Sequence, residues 1–172
     1  LIDEEGNFSD RFKKSIDSWS TSILNDDGIF KPIENDGVIV KAQIIAKENG
    51  IFVGEKIIEQ ICNFWGSSLT FNWYFSKSSE VSKDEILAEI TGSKSQLLKL
   101  ERSILNILGR LSGIASTSKK WTNISQIPIA ATRKTTWGLL DKWAAHLGGA
   151  LTHRLDRNDA LMLKENDLAA NY

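Results

Sequence analysis

Between Lys94 and Lys119 the residues Leu97, Leu100, Ile104, Ile107, Leu108, Leu111 and Ile114 recur at spacings of three and four. That is the pattern of one long amphipathic helix with a continuous apolar stripe. The stripe carries more apolar surface than one small sheet can cover, which points to a second subunit in a homodimer. Gly109 and Gly113 interrupt this helix. Each weakens it by about 1 kcal/mol relative to Ala, and close packing against a neighbour is the expected compensation. Lys99, Arg102, Asn106 and Arg110 lie on another face, where periodicity alone makes Arg102 a surface residue paired with an acid.

Upstream, Phe8, Phe12, Ile16, Trp19 and Ile23 mark an amphipathic helix that ends at Asp26-Asp27-Gly28. Val38, Val40, Ala42, Ile44 and Ala46 alternate with Lys41, Gln43 and Lys47, a half-buried strand followed by the turn Glu48-Asn49-Gly50. A helical stripe of Ile57, Ile58, Ile61, Phe64 and Trp65 opens after Gly54 and closes at Gly66. Two strands follow. In the first, Leu69, Phe71, Trp73 and Phe75 face away from Thr70, Asn72 and Tyr74; the second runs from Glu85 to Thr91 and stops at Gly92. This order predicts an open sheet covered on one face by helices. Trp65, Trp73, Tyr74 and Phe75 could stack bases, but their spacing is that of core positions and this half of the chain is acidic, which opposes nucleic-acid binding.

Downstream the pattern changes to strand Ile127 to Ala131, helix Leu139 to Leu147, turn Gly148-Gly149 and strand Leu161 to Lys164. That alternation predicts the start of a β/α barrel. The fold class is therefore α/β. An N-terminal domain over residues 1–114, an α+β open sheet with helices, includes the long linking helix, and residues 115–172 form the first, incomplete part of a barrel. The boundary falls near Ser112 to Thr117. No run approaches the roughly 18 apolar residues of a membrane span, and LIDEEGNFSD lacks the features of a secretory signal, so a cytoplasmic protein is the default expectation. Cys62 is the only cysteine; it reads as a buried structural thiol and leaves no cysteine metal cluster.

The net charge of −1 hides an asymmetry: 11 Lys and Arg stand against 17 Asp and Glu over residues 1–101, but 10 against 3 over 102–164. Arg133, Lys134, His153, Arg154, Arg157 and Lys164 fall within the short run from Ala131 to Asn166, which points to an anionic ligand held at strand ends. The plainer readings are a solvated basic face, a hydrogen-bonded structural role for His153, and helix capping for the threonines of TRKTT. His146 sits in the helical stretch without cysteine partners, which argues against zinc.

TRKTT followed by Gly138, then Gly148-Gly149, His153-Arg154 and Leu163-Lys164-Glu165-Asn166, resembles the signature of the quinolinate phosphoribosyltransferases, also called carboxylating nicotinate-nucleotide pyrophosphorylases. Upstream, ERSILNILGRLSGIAS from Glu101 to Ser116 is similar to that family's second signature, in the same order. The resemblance covers roughly Gly50 to Asn166. It implies phosphoribosyl transfer from 5-phosphoribosyl-1-pyrophosphate, with Mg²⁺, to quinolinate. Arg133, Lys134, His153, Arg154 and Lys164 would line the substrate pocket, and Arg102 would reach the active site of the other subunit in a homodimer. It also implies that the ribose, 5-phosphate and Mg²⁺ ligands come from later barrel strands, so this chain alone is expected to bind a dicarboxylate weakly and to release no pyrophosphate. An acceptor such as nicotinate, the substrate of a molybdenum-operon paralogue, and a non-catalytic dicarboxylate-binding role remain alternatives. Trp137, Leu140, Thr152 and Asp167 depart from the pattern, and the family's Gly-Asp-x-Thr element is missing near Asp27. Arg157 has no counterpart in the signature and is expected to pair with Asp156 or Asp159 at the surface.

Overall fold

Ser9 starts the first helix: its hydroxyl accepts a hydrogen bond from the Phe12 amide, satisfying one of the free donors at the helix N-terminus. In the computed structural model, residues 1–3, 5–76, 78–163 and 165–169 are described. The first helix, α1, runs Asp10–Asp26 and buries Phe12, Ile16, Ser20 and Leu24. It is followed by β1 (Ile39–Ile45), β2 (Gly50–Phe52), α2 (Glu55–Phe64), β3 (Thr70–Trp73), β4 (Ser79–Val81) and β5 (Ile86–Ser93). Then come α3 (Lys94–Ile124), α4 (Leu139–Leu147) and α5 (Glu165–Ala169).

β5 is the centre of an antiparallel sheet ordered β1-β5-β3, and β2 pairs with β4 in a separate two-stranded ribbon. The predicted alternation holds in β1, where Ile44 is buried while Lys41 and Gln43 are exposed. In β3, Phe71 and Trp73 stack on each other with ring centroids 5.1 Å apart. Trp65 is buried and donates its indole N–H to Ser20, so packing accounts for it without any base-stacking role. Cys62 is buried as expected, and that burial pushes its thiol up to about 11.

α3 is longer than the periodicity suggested, an unbroken helix of 31 residues spanning about 46 Å. Gln96 locks its start: the side chain donates to the Ile33 carbonyl at 2.8 Å and accepts from the Ser68 amide at 2.8 Å. Farther along, Ser116 Oγ accepts from the Ile51 amide of β2 at 2.8 Å, and the Ser112 hydroxyl binds the backbone of Val53 just past the strand's end. A three-residue strand at a sheet edge thus acquires side-chain partners for its free backbone groups. β2 and β4, of three residues each, are too short for an alternation of period two to register in the sequence.

Beyond α3 two expectations need correction. Ile127–Ala131 is not a buried strand: Ile127 is 73% exposed, and only a single parallel bridge joins Ala130 to Leu151. Leu161–Leu163 is not a strand either, with Leu161 90% exposed; Lys164 lies outside the described residues. The β/α/β unit exists, but its second member follows directly after the Gly148-Gly149 turn, at Leu151. An apolar run without a period is compatible with several structures, and here the turn decided where the chain returned.

α4 matches its predicted span and packs on both α3 and α1. Phe8 and Phe12 meet edge to face at 5.0 Å, and Phe8 lies edge-on to Trp143 of α4 at 5.8 Å. Leu140, Trp143 and Ala144 belong to the same apolar cluster as α1, α2 and the sheet. Among the described residues no helix is long and apolar enough to cross a membrane.

The close packing expected at Gly109 and Gly113 occurs elsewhere. A Cβ at either position would meet open space, whereas a Cβ at Gly148 would lie 2.2 Å from the Ala115 carbonyl oxygen. Gly148 is what lets α4 approach α3. Nothing in the structure explains Gly109 or Gly113. Gly109→Ala and Gly113→Ala are each expected to stabilise the chain by about 0.5–1 kcal/mol, and Gly148→Ala to destabilise it by about 1–3 kcal/mol through overpacking. Urea unfolding of the three variants checks this, and a loss at Gly109 or Gly113 would reveal a contact on that face.

Candidate functional site

The parallel bridge between the segments on either side of α4 sets the site. Ala131 donates to the Leu151 carbonyl and Leu151 donates to the Ile129 carbonyl, both at 2.8 Å. The loops that follow, one leading to α4 and one leaving Leu151, therefore emerge side by side. Between them lies a cleft of about 720 Å³ lined by Thr132, Arg133, Lys134, His153, Arg154, Arg157, Leu161, Met162 and Asn166.

Each loop is shaped by its own short-range bonds. On the first, Thr132 Oγ1 accepts from the Lys134 amide at 3.0 Å and Thr135 Oγ1 donates to the Gly138 carbonyl at 3.3 Å. Neither threonine caps α4, contrary to the simpler expectation: Gly138, at φ 54°, occupies the N-cap position without a side-chain cap. The carboxylate of Asp141 instead accepts the Trp137 amide at 2.9 Å and takes both arms of the Arg110 guanidinium at 2.9 Å. The same guanidinium lies 4.7 Å from the centre of the Trp137 ring, whose centroid is 5.8 Å from that of Trp19 of α1 in a stacked arrangement. One carboxylate thus joins α3, α4 and the end of the basic loop.

On the second loop the organising group is Lys142. It is 2% exposed, and its ammonium donates to the carbonyl oxygens of Thr152, at 2.9 Å, and of Arg154. Burial, followed by the positive charge of Arg133, holds its pKa below the ordinary lysine value. With these carbonyls drawn down onto α4, His153 adopts φ 55° and its Nδ1 accepts the Arg154 amide at 2.7 Å. Arg154 donates one terminal nitrogen to the Ala160 carbonyl at 3.2 Å, while its Nε is buried with no partner among the described residues.

Asp156 and Asp159 complete the loop. Asp156 Oδ1 accepts from the amides of Asn158 and Asp159, and Oδ2 pairs with Arg11 of α1. The Asn158 amide is the main cause holding Asp156 below the usual carboxylate range, with Arg11 adding to it. Asp159 accepts the Leu155 amide at 2.8 Å. The expected pairing of Arg157 with one of these acids is therefore not found. Both serve the turn, and Arg157 lines the cleft instead.

Of the residues singled out from sequence, Arg133, Lys134, His153 and Arg154 come together in the cleft. Lys164 lies outside the described residues. Arg102 lies in a different groove with Asp27, Ser95, Leu98 and Lys99; its side chain is 76% exposed and pairs with Asp27 at 3.4 Å. Lys142, Asp141 and Arg110 were missed. A signal was available, because two adjacent charges inside the apolar run Leu139 to Leu147 have to find partners when that helix is buried.

The profile of the quinolinate phosphoribosyl transferase N-terminal domain matches residues 27–112, and that of the C-terminal domain of the same family matches residues 114–171. The chain is 37% identical, over 135 residues, to a probable carboxylating nicotinate-nucleotide pyrophosphorylase of Bacillus subtilis, covering 76% of this chain and 47% of that protein. A protein of the same description from Synechocystis is 36% identical, covering 76% and 46%. The crystal structure of NadC from Streptococcus pyogenes superposes with a TM-score of 0.77 at 29% identity, covering 92% of this chain and 61% of that one. The chain thus spans about half the length of the curated relatives it matches.

Replacing Lys142 by Met keeps much of its volume and removes both donors. Stability is expected to fall by about 1 kcal/mol, and trypsin is expected to cut after Arg154 and Arg157 faster than in the parent chain. Unchanged cleavage would show that the amine does not hold the loop.

Proposed function

Because the chain belongs to the quinolinate phosphoribosyl transferase family, we propose that it serves the transfer of a phosphoribosyl group from 5-phosphoribosyl-1-pyrophosphate to quinolinate, with decarboxylation to nicotinate mononucleotide. One observation supports this above the others. The cleft gathers Arg133, Lys134, Arg154 and Arg157 with no carboxylate among its described lining residues, and Arg154 carries a buried, unpartnered Nε. Guanidinium groups match planar carboxylates in bidentate fashion, and a buried donor without a partner is costly until a ligand supplies the acceptor.

In this reading Arg133 and Arg154 hold the two carboxylates of the acceptor, with Lys134, His153 and Lys164 beside them. The ring nitrogen is left free to attack. Its lone pair forms the bond to C1 of the ribose as the C1–oxygen bond breaks, and that electron pair leaves with pyrophosphate. The ring nitrogen is then positively charged, so the bond from C2 to its carboxylate can break with its electron pair retained at C2 beside that charge. Carbon dioxide departs and a proton from solvent completes C2. No protein nucleophile is needed; the residues bind, orient and neutralise charge.

The family's chemistry also implies Mg²⁺ with the pyrophosphate donor. Mg²⁺ takes oxygen ligands, usually carboxylates, waters and phosphates. The described residues do not fit it, since the cleft is lined by cations and no cluster of three or more His, Cys, Asp or Glu side chains suited to a metal occurs among them. No step here runs through the metal.

The proposal extends to a homodimer in which Arg102 serves the neighbouring subunit's cleft. In support, Arg102 is exposed on a face of α3 that also presents Leu98, 60% exposed, and Leu105, 46% exposed. Leucines seven residues apart on a helix flanking an exposed cation suit a subunit contact better than open solvent.

Isothermal titration with quinolinate tests the reading. Arg133→Ala and Arg154→Ala are each expected to weaken binding by about 1.5–3 kcal/mol, the range for hydrogen bonds to a charged partner. Lys41→Ala, on an exposed position of β1 away from the cleft, is expected to leave it nearly unchanged. No binding by the parent chain, or equal losses at all three positions, would overturn the assignment of the cleft.

A further inference from the structure

Resting on that reading of the cleft, we propose that Arg157 is a specificity-determining ligand that engages the second carboxylate of an aromatic dicarboxylate and sets the cleft against monocarboxylates. Arg157 sits at the apex of the turn Asp156 to Asp159, a turn built by the two amide hydrogen bonds to Asp156 Oδ1. Among the described residues, neither of the acids that flank it forms an ion pair with it. Asp156 spends its other oxygen on Arg11, and Asp159 accepts the Leu155 amide. The ion pairs found among the described residues are Arg11 with Asp156, Arg102 with Asp27 and Arg110 with Asp141. None involves Arg157. Its side chain lines the cleft together with Arg133, Lys134 and Arg154.

Gathering these cations has an electrostatic cost: burial first, then the charges of Arg133 and Arg154, with Asp159 opposing, hold Lys142 below the ordinary lysine value. A monocarboxylate would relieve only part of that repulsion, whereas a dianion of a flat ring relieves more and can present one carboxylate to each loop. Arg154 and Arg157 are three residues apart on one loop, Arg133 and Lys134 lie on the other, and all four line the cleft. That arrangement gives two separate cationic walls, one for each end of a dicarboxylate.

Arg157 is exposed, so its replacement disturbs no core contact. The experiment is isothermal titration of the parent chain, Arg157→Gln, Arg157→Lys and Arg133→Ala with quinolinate and, separately, with nicotinate. Arg157→Gln is expected to weaken quinolinate binding roughly tenfold while changing nicotinate binding less than about twofold, with Arg157→Lys in between because it keeps the charge and loses the fork. Unchanged quinolinate binding in Arg157→Gln, or an equal loss for both ligands, would overturn the proposal while Arg133→Ala still weakens quinolinate. If Arg133→Ala has no effect either, the reading of the cleft itself fails and this proposal with it.

Discussion

Asp141 is the residue through which the helices and the basic loop become one structure. Its carboxylate is 7% exposed and receives the paired nitrogens of Arg110 on α3 and the Trp137 amide at the end of the TRKTT loop. A charge so deeply placed is tolerable only because both its oxygens are satisfied. The consequence is directional. α4 is held at a fixed height against α3, the close approach at Gly148 follows, and the chain returning from the Gly148-Gly149 turn meets Ala130 at Leu151. The cleft opens where it does because these two segments are held in register from below.

The basic loops face an electrostatic difficulty of their own, since like charges brought together repel and would spread apart if only solvent held them. Two devices oppose this. Lys142 pins the second loop by backbone carbonyls, so it restrains the chain without engaging the arginine side chains. Asp156 and Asp159 act at the outer side of the loop, where they accept amides and Arg11 and shape the turn without entering the cleft lining. Acid is thus present close to the cations, engaged by backbone amides and Arg11, and does not line the cleft.

What the sequence made legible follows from how local each signal is. α1, α2 and α4 came within a few residues of their spans because apolar spacing repeats the same message over more than two turns, and β1 and β3 did so by alternation. Ile127–Ala131 and Leu161–Lys164 carried only apolar character, and what decides such runs is which neighbour they pair with, a long-range fact. Arg133, Lys134, His153 and Arg154 were readable as a set because a signature names them together. Arg157 was misjudged for the opposite reason: adjacent Asp156 and Asp159 suggested local neutralisation, and only the folded chain assigns those acids to the turn and to Arg11 across 145 residues of sequence.

The departures from the family signature divide along the same line. Trp137 stands where proline is usual, and its backbone N–H, which a proline would lack, is the donor that Asp141 accepts. Its ring stacks on Trp19 and underlies Arg110, so the substitution is tied into α1 and α3. Leu140, where a basic residue is common, is 1% exposed in the same cluster. At position 152 it is the carbonyl that Lys142 binds, and nothing in the structure explains why its side chain is threonine. Trp137 and Leu140 therefore alter how the loops are supported from beneath, toward a more apolar and aromatic floor, and they leave the cations of the cleft in place. Arg157, which has no counterpart in the signature, lines the cleft itself.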